Sequence, residues 1–291
     1  MISGGLPLNK PAGMTSAQVG NILKAVFDCP KIGHTGTLDP NATGVLMVML
    51  GNATKVVPYV KELPKTYIAG FKLGLTSNTY DIWGQISEHG YGGDITKEMI
   101  EMIMEEFTGK IDQLPPMFSA KCIDGVRLYK LALNGIELPR KPSSIEIFKL
   151  ELLSYDQNTG EGTFILECSK GTYVRSLISD IGMNCGCGAV MTSLVRTRDM
   201  GYDVKDCVTF DQVREAQDKP SLLVPMYKFI EHIPKVELND RQANKIKLGN
   251  NAIIQGYPAP AGIVRLHWQN EFIAIGKLVL STGEIIPERV I

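Results

Sequence analysis

GHTGTLDPNATGVL, residues 33–46, sets one carboxylate, Asp39, among glycines and hydroxyl side chains directly ahead of an unbroken apolar run, VLMVMLG at 45–51. That run has the length of a strand and no polar interruption, which predicts a strand buried on both faces. The stretch before it, 31–44, holds glycines, Pro40 and almost no large apolar side chain, and so predicts a loop held at the mouth of the strand. Taken locally, the same loop serves equally as a plain turn in which Asp39-Pro40 bonds its own backbone. Gly33 and Gly36 fit neither GxxxxGK[ST] nor GxGxxG, which argues against a nucleotide cofactor. His34 in isolation reads as a turn or packing residue.

Working outward, residues 5–14 read as a short strand or loop broken by Pro7 and Pro11. Thr15 or Ser16 then caps a helix with Val19, Ile22, Leu23 and Val26 at helical spacing. Strands are predicted over 66–75 and 162–168. A helix over 97–108 presents Met99, Ile100, Ile103, Met104 and Phe107 and stops at Gly109. Residues 112–147 have few periodic signals and several prolines; they read as a long functional loop with a short helix near 128–133. After Gly171 a further helix is predicted, with Thr172 as its cap and Val174, Leu177, Ile178 and Ile181 inside. A capping box spans Thr209 to Gln212. Beyond residue 232 the pattern changes to short strands at 262–268, 272–280 and 284–291, as in a small barrel, so a domain boundary is placed there.

Composition narrows the class without choosing a function. The chain has 291 residues, 44% hydrophobic and 21% charged, which excludes a disordered or fibrous chain. No basic flank precedes an apolar run at the start, and nowhere do about 18 apolar residues follow one another, which predicts a cytoplasmic protein with no membrane association. Six scattered cysteines, with only Cys185 and Cys187 close in sequence, predict free thiols and no metal site. The net charge of −1 gives no global sign of nucleic-acid binding, yet Lys121, Arg127, Lys130, Arg140 and Lys141 are opposed in their stretch only by Asp124 and Glu137.

Several distant segments together resemble the TruB family of tRNA pseudouridine synthases. They are LNKPAGMTS (8–16), GHTGTLDPNATGVL (33–46), KTY (65–67), TYDIWG (79–84), QLPPMFSAKCIDGVRLYKLALNG (113–135), CSKGTYVRSLISDIG (168–182) and LVRTR (194–198). They run in family order, and the segment after 235 is similar to the small PUA domain that often follows. The chain departs from the family where Ser143-Ser144 and Val195-Arg196 stand at positions often held by a further arginine and by two adjacent arginines.

The resemblance implies an α/β pseudouridine synthase fold with a mixed, mainly antiparallel sheet over 1–232, in which 112–147 clamps RNA, followed by a β-rich, barrel-like PUA domain over 233–291. It implies isomerisation of the T-loop uridine at tRNA position 55, with no cofactor, because the reaction consumes nothing. Asp39 falls on the family's nucleophile. Burial alone would oppose its ionisation, and Arg175 falls on the arginine that pairs with it. Without the motif, Arg175 reads as a helix-surface ion pair.

Tyr67 matches the tyrosine that stacks on the target base and helps remove the C5 proton. Tyr173 and Leu194 match residues lining the base pocket, and His34 the residue that fills the space left by the extruded base. Asp81 and Lys10 also match motif positions, as a polar contact and as a scaffold beneath the loop. The five cations of 112–147 become candidate phosphate contacts. Partners implied are the T arm of tRNA, and the acceptor stem through the C-terminal domain, by a monomer with no obligatory protein partner. An RNA-guided synthase, or a tRNA-binding chaperone without essential catalysis, fits the same residues. Attack at C6, attack at C1′ and a glycal route all remain open.

Overall fold

A computed structural model describes residues 2–119, 121–123, 125–254 and 260–291, with backbone alone at 122, 123, 127 and 130. The strands are β1 (Gly4–Lys10), β2 (Ile32–His34), β3 (Thr43–Leu50), β4 (Lys65–Leu73), β5 (Leu75–Ser77), β6 (Ile86–Glu88), β7 (Gly109–Gln113), β8 (Cys122–Ile123), β9 (Val126–Arg127), β10 (Ser143–Asp156), β11 (Glu161–Cys168), β12 (Ala189–Asp199) and β13 (Tyr202–Asp203). Five more follow: β14 (Lys235–Glu237), β15 (Ala252–Ile253), β16 (Gly262–Trp268), β17 (Glu271–Val279) and β18 (Glu284–Val290). The helices are α1 (Ser16–Val26), α2 (Lys97–Glu106), α3 (Leu128–Ala132), α4 (Val174–Asn184), α5 (Phe210–Glu215) and α6 (Asp240–Lys247).

One sheet dominates, in the order β1-β3-β12-β4-β11-β10-β7, with β2 added to β3 and β13 to β12. Its neighbours are antiparallel except β3 and β12, which meet in parallel through Val195–Thr43 and Arg196–Gly44. The mixed, mainly antiparallel α/β architecture read from the resemblance is therefore present. β3 is apolar from Val45 to Leu50 because both its faces are covered: Leu46, Val48 and Leu50 join the core under α1, while Met47 and Met49 pack with Ala53 and Phe229 on the other side. α1 begins as read, with Thr15 and Gln18 forming a reciprocal capping box and Val19 and Leu23 fully buried.

Three local readings change. The stretch 31–44 is not loop throughout, since Ile32–His34 pairs with Leu50–Val48 on the edge of β3 away from β1, where β12 pairs only with Thr43 and Gly44 and leaves the far end open. Thr172 does not cap α4. Its hydroxyl donates to the Ser169 carbonyl, and the cap position falls to Tyr173, which makes no side-chain cap bond. The 112–147 segment is bracketed by β7 and β10, so its last residues, including Ser143-Ser144, already lie in a strand paired to β7; the short helix is α3.

The last strands form a second sheet, β14-β16-β17-β18-β15, packed around Val236, Leu238, Ala243, Ile246, Val264 and Leu266. A separate cluster of Val56, Ile230, Ile233 and Ile275 joins this sheet to the segment after β3, where Lys55 also donates to the Val290 carbonyl (2.7 Å) and Tyr59 to Glu288 (2.8 Å).

Candidate active site

Asp39 stands on a loop that is gripped by its own backbone carbonyls. The Lys10 ammonium, buried at the end of β1, donates to the carbonyls of Pro11 (2.8 Å), Pro40 (2.9 Å) and Ala42 (2.7 Å). Burial pushes this amine down to about 8, against the pull of the nearby Asp39 charge. Ser16, in the first turn of α1, exchanges hydrogen bonds with both the amide and the carbonyl of Leu38. From the other side, Arg196 on β12 donates to the carbonyls of Val45 (2.7 Å) and Gly36 (3.2 Å). Gly44 makes that approach possible: it has φ +99°, and a Cβ there would lie 2.2 Å from the Arg196 carbonyl oxygen.

Arg175 meets Asp39 as a fork. Nε lies 2.8 Å from Oδ2 and Nη2 3.0 Å from Oδ1, across 136 residues of sequence. The guanidinium is 5% exposed and is no helix-surface pair. Two of its three remaining protons go to the carbonyls of Thr79 (2.8 Å) and Phe118 (2.9 Å), and the Asp81 carboxylate stands 3.8 Å from Nη1. Every direction of the planar group is thus fixed, and with it the carboxylate that it faces.

The ion pair separates two cavities. One, of about 250 Å³, is walled by Tyr67, Tyr173, Leu194, Lys65 and Arg196; the other, of about 530 Å³, by His34, Asp81, Trp83, Phe118 and Tyr129. Asp39 and Arg175 line both. Of the residues named from the sequence, Tyr67, Tyr173 and Leu194 therefore gather on one side of the carboxylate, and His34 and Asp81 on the other. Lys10 lines neither and holds the loop from behind.

Burial pushes the Tyr67 phenol up to about 12, so it stands protonated. Burial, followed by the Arg196 and Lys65 charges, lowers His34 and leaves an uncharged ring suited to stacking. Asp81 accepts from the Thr79 hydroxyl (2.6 Å) and the Trp83 amide (3.2 Å). Tyr173 is pinned at its own backbone by Gln113, whose side chain accepts from the Tyr173 amide (2.7 Å) and donates to its carbonyl (3.0 Å).

Under the smaller cavity lies a buried charged group that sequence reasoning missed. Asp199 and Arg196, each 1% exposed at the side chain, sit with Lys65, whose ammonium is 2.9 Å from both Asp199 oxygens. Strand alternation carried the signal. Lys65 and Tyr67 share one face of β4, Leu194 and Arg196 share one face of β12, and Arg196 pairs with Tyr67 in register.

The candidate phosphate contacts fare unevenly. Lys121 donates to the Ser143 hydroxyl (2.7 Å), and Arg140 is spent on the Pro115 carbonyl (3.0 Å) and on Glu137 (2.8 Å). Lys141 is exposed, and the side chains of Arg127 and Lys130 lie outside the described residues. Among the described residues no cluster of His, Cys, Asp or Glu is arranged to hold a metal ion, and no helix is long and apolar enough to cross a membrane.

Fold, ion pair and cavities together define a pseudouridine synthase, and the chain belongs to the TruB family: the model of the TruB family pseudouridylate synthase N-terminal domain matches residues 24–174. The tRNA pseudouridylate synthase B C-terminal domain matches residues 175–228. Proteins named tRNA pseudouridine synthase B are similar over most or all of the chain. The one from Aquifex aeolicus is 36% identical across 100% of both chains, and the one from Syntrophotalea carbinolica 41% identical across 81% of this chain and 78% of its own. Among solved structures, a Cbf5-Nop10-Gar1 complex matches at TM-score 0.70 and 27% identity, covering 98% of this chain and 83% of that one. An archaeal box H/ACA sRNP Nop10-Cbf5 complex matches at TM-score 0.70 and 26% identity, covering 99% and 85%.

Proposed function

We propose that the protein converts the T-loop uridine at position 55 of tRNA to pseudouridine, with Asp39 as nucleophile. The observation that carries this reading is the Asp39 carboxylate, clamped through both oxygens by Arg175 where two cavities meet. The reaction breaks the N1–C1′ bond, turns the base and forms a C5–C1′ bond, while the C5 proton leaves and N1 gains one. Product and substrate have the same composition, so no cofactor takes part. A carboxylate serves as the covalent partner at either C6 or C1′. Tyr67, Tyr173 and Leu194 wall the place of the extruded uracil, and His34, on the far side of Asp39, takes the space in the RNA that the base vacates. Asp81 orients Arg175, and Lys10 holds the loop.

Residues 1–232 make the catalytic domain in this reading, and 233–291 a PUA-like domain that reaches toward the acceptor stem, in a cytoplasmic monomer. An unmodified tRNA transcript incubated with the purified protein alone tests the proposal. Conversion at position 55, read by reverse-transcription stops after carbodiimide treatment, is the expected result. Conversion that requires an added guide RNA or partner protein would instead favour the guided reading that the likeness to the Cbf5 complexes suggests.

Tyr67 takes part in moving the C5 proton, and the neighbouring Arg196 charge eases the ionisation of a phenol that burial otherwise holds neutral. Tyr67→Phe keeps the stacking ring and removes the hydroxyl, so kcat is expected to fall by about 100-fold or more while KM barely moves. Unchanged kcat in single-turnover assays would remove the hydroxyl from the mechanism.

A further inference from the structure

Five residues line both cavities beside the ion pair: Thr37, Leu38, Asp39, Ser119 and Arg175. Asp39 and Arg175 are bonded to each other, Leu38 is apolar and Thr37 is exposed. Ser119 is different. It is 5% exposed, and its hydroxyl has no hydrogen-bond partner among the described residues. Buried hydroxyls are nearly always paired, because leaving one unpaired costs stability. Its position is fixed nonetheless, since the preceding carbonyl, that of Phe118, accepts from Arg175, and the Ser119 amide donates to the Met117 carbonyl (2.9 Å). The same guanidinium thus sets the places of Asp39 and of the chain at Ser119.

We infer that the Ser119 hydroxyl hydrogen-bonds the 2′-hydroxyl of the target nucleotide and selects ribose over deoxyribose there. The inference rests on the uridine-isomerase reading above. With the uracil in the Tyr67 cavity, the glycosidic bond lies at Asp39, and the ribose occupies the passage between the cavities while its phosphates lead away through the wider one. Within a strand the 3′ and 5′ oxygens are esterified, so the 2′-hydroxyl is the sugar's one free donor and acceptor. A side-chain hydroxyl in that passage is matched to it in both roles.

The test uses T-arm stem-loops that carry uridine or 2′-deoxyuridine at the target position. Affinities are measured in the Asp39→Asn background, where turnover does not change the ligand, with and without Ser119→Ala. Ribose is expected to bind about five- to tenfold tighter when Ser119 is present, and about equally with deoxyribose when it is alanine. Persistence of the preference in Ser119→Ala, or its absence at the start, overturns the assignment. Ser119→Cys, nearly the same size and a poor hydrogen-bonding group, repeats the comparison if the alanine variant folds badly.

Thermal melting supplies a second reading. Losing a hydroxyl that has no internal partner leaves Tm unchanged or higher, whereas a drop in both variants marks a structural role and overturns the inference. Conversion of the uridine stem-loop by the unmutated protein is checked first. If it fails, the isomerase reading falls and takes this inference with it; if it succeeds, a failed ratio removes Ser119 alone.

Discussion

Replacing Asp39 by asparagine is expected to lower pseudouridine formation by roughly 10⁴-fold or more, the scale seen when a covalent nucleophile is deleted. An amide has the carboxylate's shape but cannot supply the attacking oxygen. RNA affinity should stay within about fivefold, because the asparagine oxygen still accepts from Arg175. The arginine is not stranded either: the Thr79 and Phe118 carbonyls continue to hold it, and the Asp81 carboxylate remains 3.8 Å away. Single-turnover conversion and filter-binding measured on one preparation separate the two effects. Full turnover by the asparagine variant would eliminate Asp39 as nucleophile, and a collapse of binding would make it chiefly a binding group.

The largest effect on stability is expected at Asp199. This carboxylate is the counter-charge for both Lys65 and Arg196, and all three are buried. Asp199→Asn leaves two cations facing each other out of water, a change of the kind that costs about 3–5 kcal/mol. The loss should depend on pH in a definite direction. Burial and the Arg196 charge already hold Lys65 below its ordinary 10.5, while Asp199 pulls it back up. Between the lowered folded value and 10.5 the unfolded chain binds more protons than the folded one, so stability rises with pH across that range. Without Asp199 the folded value drops further and the range widens downward. Urea unfolding midpoints of the variant should therefore recover part of the loss as pH is raised from neutrality, more steeply than those of the unmutated protein. A pH-independent deficit would mean that packing, rather than the cation pair, carries the effect.

Much of the scaffold was readable before any coordinates, for a physical reason in each case. α1 and α5 announce themselves by hydroxyl caps with glutamine three residues on, and α2 and α4 by apolar side chains at helical spacing. The final strands sit between clear turn residues and were placed to within a residue or two. β10 and β12 were missed. SSIEIFKLELLSYD alternates imperfectly because the register slips between Ile147 and Lys149 and again between Leu152 and Ser154. In β12, AVMTSLVRTRD hides its inward face behind an arginine, since Arg196 points to carbonyls that only the folded chain brings near.

The site was legible only in part. Read locally, Asp39 was a turn residue, Arg175 a surface cation and Tyr67 a core ring. Their resemblance to a family motif named them, and the fold then supplied the 2.8 Å contact and the common cavity. Gln113, Ser119, Lys65 and Arg196 lie within the resembling segments without a role assigned to them there, and Asp199 lies outside, because each acts through a neighbour distant in sequence.

Lys10 and Arg196 hold the Asp39 loop through the carbonyls of Pro40, Ala42, Gly36 and Val45, atoms that any amino acid would offer. The grip is therefore indifferent to which side chains occupy Thr35, Thr37 and Asn41. A substitution at Thr37 or Asn41 therefore changes a cavity wall without removing any of the bonds that fix the place of the Asp39 carboxylate.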